Sequence, residues 1–364
     1  MVTGRFSAGR STEDKLQLAF DAMLGVKEAM ADKTVPRFRG NGLRDAFQEV
    51  TGSSDPVDFF DGGFYRVKET VLTTDFPNLL KNSMTKRLIQ DYAEYGMGGV
   101  EQIISDTEVA DFKTQDRIRV GYYGNLPTVA ENVSYAELTK PTDEIINYSI
   151  AKRGGFQDIT WETILNDDLG KVISFAPRIA RAARQTLKQF VTDFFVNNPN
   201  YVPDGLAWFH ATHTNLGTIA LSSPELDTRA IALAKQSEKD STKRLGLRLD
   251  WIMVPVDLGP LAHNLNTNQS GTNNWYGRFG ANDERIIVSE QMTDVNDWVG
   301  GSLPSRAPFL EIAFLRGFKT PQMFIVPAEQ RRAITAIDKI QLYGLQVFGG
   351  GIIDYRPVFK EVVP

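Results

Sequence analysis

Cysteine is absent from the 364 residues, which excludes a disulfide framework, thiol catalysis and thiolate metal sites. That absence fits assembly in a reducing cytoplasm. No segment reaches the roughly 20 apolar residues that a membrane helix needs, and the longest uncharged apolar run, Ile340 to Ile353, is broken by Gly344 and by Gly349, Gly350 and Gly351. The amino terminus carries one positive charge, Arg5, with no apolar core behind it, so no secretory signal is expected. An excess of positive charge is lacking as well. Forty basic against forty-five acidic side chains leave a net charge of -5, so any contact with nucleic acid must be local.

Chemical motifs are also missing. There is no phosphate loop ending in Lys-Ser/Thr, no G-x-G-x-x-G, no nucleophile elbow and no His-Glu-x-x-His, which removes nucleotide-binding and metalloprotease readings. His210 and His213 are close enough to share a ligand, but no third His or Cys stands near them in sequence, so both read as hydrogen-bonded structural residues. His263, on a leucine-rich helix, is expected to be half buried. Asn166-Asp167-Asp168 could supply a carboxylate pair, yet carboxylates just ahead of a helix more often cap it and meet its dipole. A hydrolase using Asp167 or Asp168 with His210 would need these groups to converge in one pocket. Trp208, Trp251, Trp275 and Trp298 are scattered rather than interleaved with basic residues and read as core or interface anchors. No cofactor is implied.

What is present is ordinary globular material, 42% hydrophobic, enough for one large or two moderate domains. The spacing predicts a helix from Thr12 to Met30, preceded by Ser11, with Leu16, Phe20, Met23 and Leu24 on a narrow apolar face and Asp21 elsewhere on the wheel. A basic linker from Lys33, a short helix at 43–50 and turns at 52–56 and 61–63 follow, so that up to about residue 75 the chain reads as an arm. A second helix spans 76–95, with Leu79, Leu80, Met84, Leu88 and Tyr92 in step and Gly96, Gly98 and Gly99 closing it. Residues 109–120 and 145–150 then read as the strands of a long polar hairpin. An isolated two-stranded ribbon is marginal in water, so either its own domain or another subunit must hold it.

The strongest periodicity places Val172, Ala176, Ile179, Ala183, Leu187, Phe190 and Phe194 on one face of a long helix, with Asn197-Asn198-Pro199 at its end and Pro177 expected either to start its regular part or to kink it. Arg178, Arg181, Arg184 and Lys188 fall on another face. They read first as solvated, and second as a basic stripe facing packaged nucleic acid. Beyond 200, short strands at 251–256, 286–288, 309–314, 323–326 and 339–348 alternate with helices and loops. Residues 264–274 form a low-complexity turn rich in Asn. The class is α+β with a mixed sheet.

Several runs together resemble a known family: Thr73-Thr74-Asp75-Phe76-Pro77-Asn78-Leu79-Leu80, Asp111-Phe112-Lys113-Thr114, Ile164-Leu165-Asn166-Asp167-Asp168-Leu169-Gly170, Phe209-His210-Ala211 and Asp354-Tyr355-Arg356. Their order and spacing are similar to those of major capsid proteins of tailed bacteriophages, in the branch often fused behind a prohead protease. The resemblance implies a Hong Kong 97-type capsid fold with an N-terminal arm at 1–110, an extended loop at 111–153 and a spine helix at 170–198. The peripheral domain would take 154–221 and 326–364, and the axial domain 222–325. It implies a shell of pentamers and hexamers around double-stranded DNA, with the extended loop lying across an adjacent subunit and Gly154 and Gly155 as its hinge. Portal, scaffold or decoration proteins would be further partners, no membrane would be involved, and assembly would take place in the host cytoplasm. With no protease ahead of Met1, maturation by a fused protease is not expected. Lys140 lies in the proposed loop, but one lysine does not argue for covalent cross-linking. A tail or head-tail adaptor component is the nearest alternative, because it too would use long hairpins between subunits.

Overall fold

The computed structural model describes residues 12–32, 75–121, 126, 128–135, 137, 143–160, 169–239, 243–326 and 339–364. The helix expected at 43–50, the turns at 52–56 and 61–63, Gly124, Lys140 and the Asn166-Asp167-Asp168 step lie outside the described residues. The chain divides into two compact units. One comprises Met1–Gly96, Lys152–Gln185 and Phe318–Val347, the other Met97–Ala151, Thr186–Gly317 and Phe348–Pro364.

In the first unit the helix expected over 12–30 is two helices, α1 (Thr12–Met23) and α2 (Lys27–Ala31). Gly25 separates them at φ +82°, a left-handed conformation that glycine adopts without steric cost. The Arg87 guanidinium donates to the Gly25 carbonyl and, 2.7 Å away, to Asp91. Arg87 and Asp91 belong to α3 (Asp75–Glu94). Leu16, Ala19, Phe20 and Leu24 pack with Leu80, Met84 and Leu88 of α3. The same core takes in Phe175, Ala176 and Ala180 from the first half of α4 (Leu169–Asn197). The apolar face of α1 is thus wider than its spacing suggested. Asp21, read as a polar-face residue, is only 2% exposed. It accepts from Ser83 at 2.5 Å and Gln17 at 3.0 Å and pairs with Lys86 at 2.6 Å, because α3 covers that flank as well.

The strands of this unit are β4 (Ile150–Thr160), shared with the other unit, β10 (Gln322–Val326) and the first part of β11 (Lys339–Ile352). β10 runs antiparallel to β11 from Gln322↔Leu345 to Val326↔Gln341, and β4 also pairs with β11.

In the second unit, β1 (Ser105–Val109) runs parallel to β9 (Leu310–Leu315), and β9 runs antiparallel to Phe348–Ile352 of β11. The remaining sheet has the order β5 (Leu216–Gly217), β12 (Val358–Glu361), β8 (Trp298–Gly301), β6 (Trp251–Pro255), β7 (Ile286–Ser289) and mixes parallel with antiparallel pairs. The α+β class with a mixed sheet is therefore what the chain adopts. All five residues of β6 are buried, as expected of a central strand covered on both faces. The expectation grouped 326–364 with the spine helix, and β12 of that stretch pairs with β8, in the sheet that holds β6 and β7. Helices α5 (Ser223–Lys235), capped by the Ser222 hydroxyl, and α6 (Gly259–Thr267) complete the unit.

α4 runs unbroken through Pro177. In its second half Val191 and Phe195 are fully buried, one step round from the predicted Phe190 and Phe194. Phe195 meets Trp208 at 5.1 Å and Trp251 at 5.9 Å, while Phe190 meets Phe348 at 5.3 Å, so this half is covered on more than one flank. The Asn-rich stretch is no loose turn. Asn266 donates to the Gly280 carbonyl at 2.7 Å and Asp283 at 2.6 Å and accepts from Phe279 N–H, and Asn273 donates to the carbonyls of Leu265 and Asn268. Among the described residues no helix is long and apolar enough to cross a membrane.

Candidate functional site at the root of the hairpin

The hairpin consists of β2 (Gln115–Val120) and β3 (Asp143–Tyr148), antiparallel with Arg117↔Ile146, Ile118↔Ile145 and Arg119↔Glu144 as facing pairs. Side chains alternate between the two faces of such a ribbon. On β2 the alternation is inverted relative to an ordinary surface strand, with Arg117 and Arg119 turned inward and Ile118 and Val120 outward at 62% and 57% exposure; on β3 it is mixed, with Glu144, Ile146 and Tyr148 buried and Ile145, at 58% exposure, standing outward between Asp143 and Asn147. Further along, Leu126, Val133 and Tyr135 are also exposed.

Charge holds the inward face. Arg119 pairs with Glu144 at 3.1 Å, with Glu238 at 2.6 Å and with Asp354 at 2.8 Å. Arg356, almost wholly buried, pairs with Glu144 at 3.0 Å and Asp354 at 2.8 Å and stacks its guanidinium over the Tyr355 ring. Lys239 approaches Glu144 at 3.8 Å. Three cations thus face three anions, which is the condition for burying them without an unpaired charge. Burial pushes Asp354 above the ordinary carboxylate range against the pull of Arg356 and Arg119. Burial also pushes Glu238 upward, but the hydrogen bonds and charge of Arg119 outweigh it and leave Glu238 below that range. A second tie lies beside the first: Arg117 pairs with Glu311 at 2.7 Å and donates to Thr107 at 2.9 Å, and the Tyr148 hydroxyl donates to Glu311. Burial and that hydrogen bond raise Tyr148 to about 12.

The residues singled out from sequence fall elsewhere. Gly154 and Gly155 lie within β4 rather than in a loop. A Cβ at Gly154 would overlap the Gly344 carbonyl oxygen, whereas one at Gly155 would meet nothing within 4 Å. The four basic residues of α4 do not form one free face. Arg178 and Arg181 are exposed, and Arg181 lies over the Tyr95 ring. Arg184 donates to the Tyr92 carbonyl at 2.8 Å and stacks on that ring at 3.8 Å, and Lys188 is buried against Glu290 at 2.6 Å. His210 accepts from Thr212 N–H as a cap, away from any described carboxylate pair, and Asp167 and Asp168 lie outside the described residues. His213 is buried between Trp208 and Asp204 and stacked on Tyr355. His263, expected half buried, is instead exposed and paired with Asp283, because α6 turns Ala262 and Asn266 to the core. Among the described residues no three His, Asp or Glu side chains group as a metal site.

The ionic cluster was missed in the sequence, although two signals pointed toward it. Arginines two apart in a strand must share a face, and Asp354-Tyr355-Arg356 sets a further pair of opposite charges two residues apart.

The root of the ribbon is tied inward by charge and by Ile146, and its outward face sets Ile118, Val120 and Ile145 beside Asp116, Asp143 and Asn147. The family model described as phage capsid protein matches residues 143–360, more than half of the chain, and the chain belongs to that family. It is a structural capsid protein, not an enzyme. Among solved structures it is similar to the capsid of an empty GTA particle, at 12% identity over 74% of this chain and 90% of that one, with a TM-score of 0.48. It is similar also to a chain of Microbacterium phage Oxtober96 (10% identity, 74% and 92% covered, TM-score 0.44) and to the virus-like particle from Pyrococcus furiosus (10%, 77% and 98%, 0.44). No curated protein sequence matches the chain. The family assignment rests on the sequence match.

Proposed function

We propose that this capsid protein closes with copies of itself into the pentamers and hexamers of an icosahedral shell around double-stranded DNA, and that the hairpin is the clasp between neighbouring subunits. The observation that carries this is the outward patch of Ile118, Val120 and Ile145 on a ribbon whose Arg117, Arg119 and Glu144 are tied inward. An apolar outer patch on a ribbon fixed at its root gains from burial only when another chain covers it, by roughly 1.5–3 kcal/mol for each fully covered side chain. Heterologous contacts of this kind repeat around rotation axes and close into shells.

Residues 111–153 then serve as the extended loop, 1–110 as the arm, 170–198 as the spine helix, 222–325 as the axial domain, joined by β12 from the end of the chain, and 154–221 with the rest of 326–364 as the peripheral domain. Gly155, with open space around it, is the freer half of the Gly154–Gly155 hinge. Arg178 and Arg181 are the DNA-facing cations, because Arg184 and Lys188 are already engaged within the chain. Portal, scaffold and decoration proteins meet the assembled shell, and assembly occurs in the host cytoplasm. The test is the double substitution Ile118→Asp and Ile145→Asp, read by sizing and negative-stain microscopy. Folded subunits that form no closed particles are expected, and shells at the unsubstituted yield would overturn the proposal.

A further inference from the structure

The run Gly349-Gly350-Gly351 has no part in the reading above, yet each of the three lies where a side chain has no room. A Cβ at Gly349 would overlap the carbonyl oxygen of Ser149 and stand 2.7 Å from the Cα of Ile150. At Gly350 it would overlap the Glu311 carbonyl oxygen and stand 2.8 Å from Cδ1 of Ile312. At Gly351 it would stand 2.9 Å from Cδ1 of Tyr148 and 3.1 Å from that residue's Cβ. None of the three adopts a left-handed φ, so it is the missing side chain, not backbone freedom, that the site uses. Tyr148 ends β3, and Ser149 and Ile150 lead into β4. These residues are the root of the hairpin.

We infer that Gly349-Gly350-Gly351 is the seat that fixes where and at what angle the hairpin leaves the body, with Gly349 and Gly351 as positioning residues for the contact between subunits. This rests on the hairpin being the clasp. Gly351 pairs in register with Glu311, the residue that receives the Tyr148 hydroxyl and the Arg117 guanidinium. The bare backbone at Gly351 lets the Tyr148 ring lie flat enough to reach Glu311. A methyl group there lifts the ring, and the two strands rise with it. β2 extends about 20 Å at about 3.4 Å per residue, so a tilt of about 10° at the root carries the far end about 3–4 Å. Interfaces packed to interior density do not absorb such a displacement.

The experiment compares Gly349→Ala, Gly351→Ala, Gly155→Ala and a truncation that deletes residues 122–141. The deletion leaves Gly121-Thr142 as a two-residue turn between the paired Val120 and Asp143. At Gly351 the atoms in the way all belong to the Tyr148 side chain, its Cβ included, and none to backbone, so that variant keeps the fold even where Gly349→Ala does not. Near-ultraviolet circular dichroism follows the buried tryptophans, hydrogen exchange follows β2 and β3, and microscopy counts shells. Gly351→Ala is expected to retain the dichroism, exchange faster in β2 and β3, and lose at least tenfold in shell yield, while Gly155→Ala, whose added methyl meets nothing within 4 Å, leaves exchange in β2 and β3 unchanged. Normal shells from both Gly349→Ala and Gly351→Ala, with none from the truncation, overturn the seat and leave the clasp standing. Normal shells from the truncation overturn the clasp itself. Loss of dichroism in both glycine variants overturns the seat in favour of a role in folding β11, and equal losses from Gly155→Ala and Gly351→Ala overturn it in favour of flexibility.

Discussion

Replacing Arg119 by methionine keeps the length of the side chain but removes one of three cations from the cluster at the hairpin root. Glu144, Glu238 and Asp354, with side chains 3%, 4% and 2% exposed, then share Arg356 and the more distant Lys239. One buried carboxylate is left in excess. Breaking a buried pair from one side costs about 3–5 kcal/mol, and every 1.4 kcal/mol is tenfold, so amide exchange in β2 and β3 should accelerate roughly 100- to 3,000-fold. The double variant Arg119→Met, Glu238→Gln removes one charge of each sign and leaves Arg356 between Glu144 and Asp354. Its cost should fall below that of Arg119→Met alone, a coupling that a double-mutant cycle reads directly.

The pH dependence has a definite sign. Asp354 is raised by burial and held down by Arg356 and Arg119, so losing Arg119 raises it further and favours proton uptake in the folded state. The protonated form relieves the excess charge, and that relief is lost as pH rises through the folded pKa, so the penalty should be larger near about pH 8 than near about pH 5. Hydrogen exchange with mass spectrometry and urea titration measure both quantities. A cost for Arg119→Met below about 1 kcal/mol, or a double variant as costly as the two single substitutions summed, would refute the reasoning.

Two further outcomes follow from neighbouring features. Charge reversal at the exposed pair, Arg178→Glu with Arg181→Glu, should leave subunit stability within about 0.5 kcal/mol and reduce the DNA retained in otherwise normal heads; retention equal to the parent would remove these residues from the DNA-facing role. Tyr148 is raised from 10.0 to about 12 by burial and by Glu311, so its contribution is complete below about pH 10 and lost as pH rises through about 12; spectrophotometric titration of Tyr148→Phe against the parent should lack one late-ionising phenol, and an unchanged curve would contradict the Tyr148–Glu311 tie.

The long helix was legible because a period of 3.6 sustained over nearly thirty residues fits a helix and neither a strand nor a loop; Pro177 was read as its start or a kink, and the helix instead begins at Leu169 and continues through the proline. The hairpin strands were legible in part, since 115–120 and 145–148 are strand as expected, but Val109 ends β1, residues 110–114 form no strand and Ile150 already belongs to β4. Which face turned inward was not legible. Apolar residues ordinarily mark the covered side, and Ile146 does so here, but Ile118 and Ile145 mark the open one, because Arg117 and Arg119 find partners not only in Glu144 but at residues 107, 238, 311 and 354, most of them far along the chain. Asp21 misled for the same reason: its burial depends on Ser83 and Lys86 of a helix more than sixty residues away. The break at Gly25 was visible as a glycine in a helical run, but only the Arg87 contact shows why the chain turns there.

The ribbon also divides the pressures under which its sequence can change. On the inward side, a substitution at Arg119 leaves a carboxylate in excess among Glu144, Glu238 and Asp354, and only a second change within the same polypeptide restores the balance. On the outward side, Ile118, Val120 and Ile145 answer only to whatever surface covers them. Under the proposed clasp, two alternating sets of residues on the same six-residue strands answer to different constraints, one to the subunit's own fold and one to its neighbour.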